Sequence, residues 1–75
     1  MSNLAQLSSG HSAKIISIEG GIGLRQRLQN LGLREGVVVR KERGIFNQGP
    51  IIVKAGSTQI ALGRGMASKV IVEIL

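Results

Sequence analysis

Few side chains in this sequence are of the types that do chemistry, and their spacing narrows what they can do. His11 is the single histidine, cysteine is absent, and the acids are Glu19, Glu35, Glu42 and Glu73. First-row transition cations favour several convergent imidazoles and carboxylates, commonly two His and one carboxylate. One histidine cannot make that set within one molecule, so no metal site is expected; His11 and Glu19 are the least poor pair. Ser8, Ser9 and Ser12 flank His11 in a polar turn, with no nucleophile–base set at recognisable spacing. The chain is also too short for a deep cleft, and the expectation is that it is not an enzyme.

A second candidate is Gly20-Gly21-Ile22-Gly23 ahead of Arg25. Backbone amides at the start of a helix attract anions, and a cation follows closely. The run lacks both the six-residue spacing of a dinucleotide fingerprint and the Lys-Ser/Thr of a P-loop, so tight turning is its ordinary explanation. That leaves the cations. Arg25, Arg27, Arg34 and Arg64 stand among glycine, leucine and turn residues and are the candidates for partner contact, against the ordinary alternative of a solvated basic face.

Ten Lys and Arg against four acids give a formal net charge of +6, which points to an acidic partner, a nucleic acid or an anionic membrane surface. Phe46 is the only aromatic residue. Single-stranded nucleic-acid platforms need several stacking rings, and a groove for proline-rich peptides needs an aromatic lining. A small-barrel nucleic-acid binder using its basic surface is therefore the second reading, and a peptide-binding SH3 module the third.

The elements that position these residues can be read from periodicity. Leu4 and Leu7 precede Ser8-Ser9-Gly10 and read as a short lid over one end of the core. Ser12 to Glu19 carries Ile15, Ile16 and Ile18, a β-branched run whose imperfect alternation fits a strand with both faces partly covered in a curled barrel. Leu24, Leu28 and Leu31 fall at i, i+4 and i+7 and make one apolar helical stripe, expected to be core. Gly32 is the expected helix stop, with Leu33 folding back onto the stripe.

Arg34-Glu35-Gly36 turns into a strand over 37–42, with Lys41, Glu42 and Arg43 as its exposed end. Residues 44–49 read as a loop whose apolar Ile45 and Phe46 either tuck over the barrel end, the favoured reading, or are presented to a partner. Further strands are expected from Pro50, over 59–62 and over 70–74, the last with Val70, Val72 and Ile74 inward, and Met66 to Lys69 fits one helical turn. Five short strands and one helix between the first and second predict a mainly β fold, a single small barrel of the SH3-like type spanning residues 1–75. No apolar run approaches the length that crosses a bilayer, and the leader lacks a basic segment followed by an apolar core. A soluble cytoplasmic product without direct membrane insertion is expected.

The ordered motifs carry a resemblance. Arg27-Leu28, then Leu31-Gly32-Leu33 and Gly36, give the pattern RLxxLGLxxG. Gly49-Pro50 with Val53, the run from Ile60 to Ala67, and Lys69 to Val72 complete it. Over Gly10 to Leu75 the chain resembles the FeoA family of small cytoplasmic proteins of bacterial ferrous iron transport. The resemblance implies an SH3-like domain that acts by protein–protein contact with the cytoplasmic side of the FeoB GTPase transporter. It raises ferrous iron as a ligand, which the ligand count does not support. Leu28, Leu31, Gly32, Leu33 and Gly36 match the family motif and read as core and turn residues; Arg25, Arg27, Arg34 and Arg64 remain the partner candidates.

Overall fold

The β-branched runs become strands, and the computed structural model describes residues 2–45 and 48–75. In chain order the elements are β1 (Ser2–Asn3), β2 (Ser12–Ile18), α1 (Ile22–Asn30), β3 (Val38–Ile45), β4 (Gln48–Ala55), β5 (Thr58–Leu62), α2 (Arg64–Ala67) and β6 (Val70–Ile74). The strands form one sheet in the order β1-β6-β2-β3-β4-β5, with every neighbouring pair antiparallel. The sheet curls into a half-barrel around an apolar interior, so the mainly β class holds, with the helix between the first two long strands.

The alternation in β2 is broken by a bulge. Ile15 lies opposite Val72, but the next partner of β6, Ile71, lies opposite Ser17, so Ile16 is the surplus residue. One extra residue re-phases a strand whose side chains otherwise alternate with period two. Ala13 and Ile15 before the bulge and Ile18 after it are therefore all buried, while Ile16 faces outward. The adjacent isoleucines thus report a bulge rather than a strand covered on both faces.

At the other end of the chain Val70 and Val72 are buried as expected, but Ile74 is 54% exposed. It lies opposite Ala13, the smallest inward side chain of β2, at the rim where the core runs out. Leu4 and Leu7 form more than a lid: both are fully buried members of the core. Two residues of strand ahead of them, absent from the sequence reading, pin the leader, with Ser2 and Asn3 opposite Val72 and Ile71. The Leu4 amide then donates to the Val70 carbonyl at 3.1 Å.

Strand β3 runs on to Ile45, so residues 41–43 are not its exposed end. Val39 is buried, and Lys41, two residues on and facing Val53, is buried with it. β4 likewise begins two residues before Pro50, which sits beside the register shift between Arg43 and Ile45, where a missing N–H removes no regular ladder bond. The side chain of Ile45 and all of Phe46 lie outside the described residues, as does their expected packing over the barrel end.

The helix ends as its sequence demands. Gly32 has φ +96°, its amide donates to the Gln29 carbonyl at 2.9 Å, and the Leu33 amide donates to the Leu28 carbonyl at 3.0 Å. These are the two hydrogen bonds of a Schellman stop, and Leu33 and Leu28 are both fully buried. Leu31 is 41% exposed and is a surface residue rather than core. It is the C-cap, and the turn at Gly32 carries Leu33 inward in its place. Gly20 shapes the other end: φ is +111°, a conformation L side chains rarely adopt, and a Cβ there would stand 2.8 Å from Leu24 Cδ2, so that the leucine tip would have to shift.

Two substitutions separate these roles. Leu28→Ala should lower unfolding free energy by about 2–4 kcal/mol, and Leu31→Ala by less than about 1 kcal/mol, in parallel denaturant titrations. Gly32→Val should cost about 1–3 kcal/mol, because a β-branched side chain resists positive φ. Equal losses for the two leucines would place Leu31 in the core after all.

Candidate functional site: the outer face of α1 and the Lys41–Arg64 pocket

Helix α1 has nine residues, of which Leu28 alone is fully buried, and it has no side-chain N-cap and no acid in its first turn. A helix of about two turns has little stability of its own in water. Here it is held by Leu28, by Leu24 packed against the core and by the Schellman stop. The rest of its surface is open. Ile22, Arg25, Gln26 and Gln29 recur at helical spacing on the outer side and line a shallow groove. Ile22 is 82% exposed, the most exposed large apolar residue among those described.

The candidate arginines do not form one cluster. Arg25, Arg27 and Arg34 are all exposed. Two residues apart at 3.6 per turn, however, Arg25 and Arg27 point about 160° apart around the helix. Arg25 belongs to the Ile22–Gln29 groove, whereas Arg27 projects on the side of Leu31. Arg34 follows the Schellman stop, where its carbonyl accepts from the Val37 amide. Gly36, with φ +91°, donates its amide to the Ile15 carbonyl at 2.8 Å and fastens this turn to β2.

Arg64 is a different case. Expected among the partner-contact cations, it instead opens α2 half-buried and lines a pocket of about 360 Å³ with Ala5, Gln6, Leu7, Ser8, Ser9 and Lys41. Lys41 is only 5% exposed, and its Nζ donates to the Ala5 carbonyl at 3.2 Å. Its stem continues the inward row of Val39 while the ammonium reaches the pocket, the usual arrangement for a long cationic side chain. Burial first, and then the nearby Arg64 charge, push the Lys41 pKa below the ordinary lysine range.

The sequence reading missed Lys41 because a charged residue at an expected strand end reads as solvated. The alternation Val37, Val39, Lys41 was the available signal, since an unbroken strand places all three on one face. Glu42 is paired instead with Arg40, its Oε2 lying 3.2 Å from Arg40 Nε.

His11 and Glu19 are not brought together. They flank opposite ends of β2, which at about 3.3 Å per residue separates their backbones by roughly 25 Å. His11 is exposed, and its carbonyl accepts from the Lys41 amide; Glu19 donates its amide to the Lys69 carbonyl at the far end. Among the described residues no group of three His, Cys, Asp or Glu is placed to hold a metal. No helix among them is long and apolar enough to cross a membrane.

Comparison with known proteins gives this arrangement a family. A protein of Methanocaldococcus jannaschii that bears the name "Putative Fe(2+) transport protein A" is 38% identical over 71 residues, 93% of this chain and 83% of that protein. A crystal structure of an iron uptake regulatory protein, FeoA, superposes with a TM-score of 0.90 at 31% identity, covering 99% of this chain and 96% of the other. The FeoA of Stenotrophomonas maltophilia, solved with zinc and described as an SH3 domain protein, superposes with a TM-score of 0.84 at 28% identity, over 97% and 91% of the two chains. The FeoA domain family matches residues 2–74. The half-barrel is thus of the SH3-like type, and the chain belongs to the FeoA family, which is associated with ferrous iron transport.

Proposed function

We propose that this protein is an accessory of ferrous iron uptake that acts in the cytoplasm by docking onto the cytoplasmic region of the FeoB-type GTPase transporter, and that the outer face of α1 makes the contact. The observation that carries the reading is the helix itself. Nine residues are held in place to deliver one fully buried leucine, while Ile22, Arg25, Gln26 and Gln29 face solvent side by side. A core that takes only Leu28 and one flank of Leu24 from this helix could be filled more economically. An exposed apolar anchor ringed by a cation and amides is the composition of a protein-contact patch.

The role is non-enzymatic. It requires no resident metal, and the arginines supply steering toward an acidic surface more than raw affinity. Arg27 and Arg34 flank the contact on the side of Leu31; Arg64 is withdrawn from it into its pocket.

Binding to the purified GTPase region, followed by calorimetry with and without nucleotide, tests this. Arg25→Glu should weaken binding at least about tenfold, with a faster loss at raised salt and unchanged thermal stability. Arg27→Glu should cost less, because it lies on the other flank. Equal effects of both would mean that net charge rather than this face is recognised. Salt-sensitive RNA binding without any binding to the GTPase region would favour the nucleic-acid reading instead.

A further inference from the structure

The pocket between the leader and the α2 turn has a composition that the transporter contact does not use. Lys41 comes from β3 and Arg64 from the start of α2, elements distant in the chain, yet they line the same cavity of about 360 Å³. Among the described residues none of the four acids lines it; the other polar groups described on its wall are Gln6, Ser8 and Ser9, and Leu7 supplies apolar surface. Both cationic groups face this cavity, and like charges repel more strongly as water is removed, so an anion entering it is attracted by both at once.

We propose that this pocket binds a phosphate group, either free or as the phosphomonoester of a small molecule. An ammonium has three N–H donors, and Lys41 directs one of them to Ala5. The guanidinium brings a planar fork suited to tetrahedral oxyanions, and the two hydroxyls can donate to further oxygens. A dianion balances two cations, which a single carboxylate does not. The cavity also has room beyond the phosphate itself for the remainder of a small ester. The pKa of Lys41 is lowered by burial and then by the Arg64 charge, and the negative charge of a bound dianion would oppose that shift and favour the ammonium form. The site does not rest on the transporter contact and lies on different residues.

The test is an NMR titration of the ¹⁵N-labelled full chain with sodium phosphate and with phenyl phosphate, against sodium chloride of matched ionic strength and against acetate. Saturable amide shifts confined to residues 5–9, Lys41 and Arg64 are expected. Lys41→Met and Arg64→Gln should each weaken binding about tenfold or more, the loss typical of one hydrogen bond to a charged group. Tighter binding of phenyl phosphate would identify the ester as the ligand class, and equal binding the free ion. Ser9→Glu adds a competing carboxylate to the wall without touching the core, so it keeps the test decisive if Lys41→Met fails to fold; it should abolish the shifts. Shifts that spread equally to Arg25, Arg27 and Arg34, that chloride or acetate reproduces, or that survive Ser9→Glu would overturn the proposal. So would the absence of any saturable shift.

Discussion

One surplus residue in β2 sets the geometry on which the rest depends. β2 is hydrogen-bonded on one side to β6 and on the other to β3, so any change in its phase is felt across the sheet. Without the bulge at Ile16, a strand of period two that buries Ala13 and Ile15 would turn Ile18 to solvent. With it, Ile15 faces Val72 and Ile18 faces Val70, and the interior stays apolar along the whole strand. Bulges also bend and twist the strand that carries them, which helps a sheet of short strands to curl around so small a core. The register shifts between β3 and β4 act in the same sense. Lys41 shows one result: a cation on an inward row whose charged end reaches the pocket beside the curled sheet.

The helix is attached to this frame rather than built into it. Leu28 and Leu33 enter the core from the two sides of the Gly32 turn, and the stop between them satisfies backbone groups that a short helix would otherwise leave to water. Because so little of α1 is committed to packing, its outer residues can vary in chemistry without disturbing the barrel. Binding surfaces are commonly carried in this way on segments positioned by a rigid scaffold. The two candidate sites therefore have different physical origins. The face of α1 is open because the helix is peripheral, whereas the pocket lies where the leader passes beside Lys41 of β3 and the start of α2.

What the sequence revealed and what it hid divide along physical lines. The Leu28–Gly32–Leu33 stop was legible because every interaction in it is local and only glycine suits the turn. The strands were legible where β-branched residues alternate. Leu31 misled because a helical stripe says which residues share a face but not how far the contact with the sheet extends. Lys41 and Arg64 misled for a related reason: charge argues for solvent until a register places the residue on an inward row or against a distant segment. The two residues of β1 are too few to carry a period, and their strand exists only because β6 offers an edge. His11 and Glu19 were the nearest thing to a ligand pair on paper, and the length of β2 alone parts them.

The strand order has a consequence for how the chain comes to be folded. β6 lies between β1 and β2, so the last strand in the chain separates the first two, and Leu4 takes its backbone partner from Val70. Pairings of such sequence separation carry a large loop-closure cost before they return any contact energy, and they slow folding relative to helical domains of similar size. During synthesis β2, β3, β4 and β5 can meet as a meander, but β2 keeps an unpaired edge until residues 70–74 have been made. The newborn chain therefore carries an open sheet edge flanked by isoleucines, and the arrival of the final strand both completes the core and closes that edge.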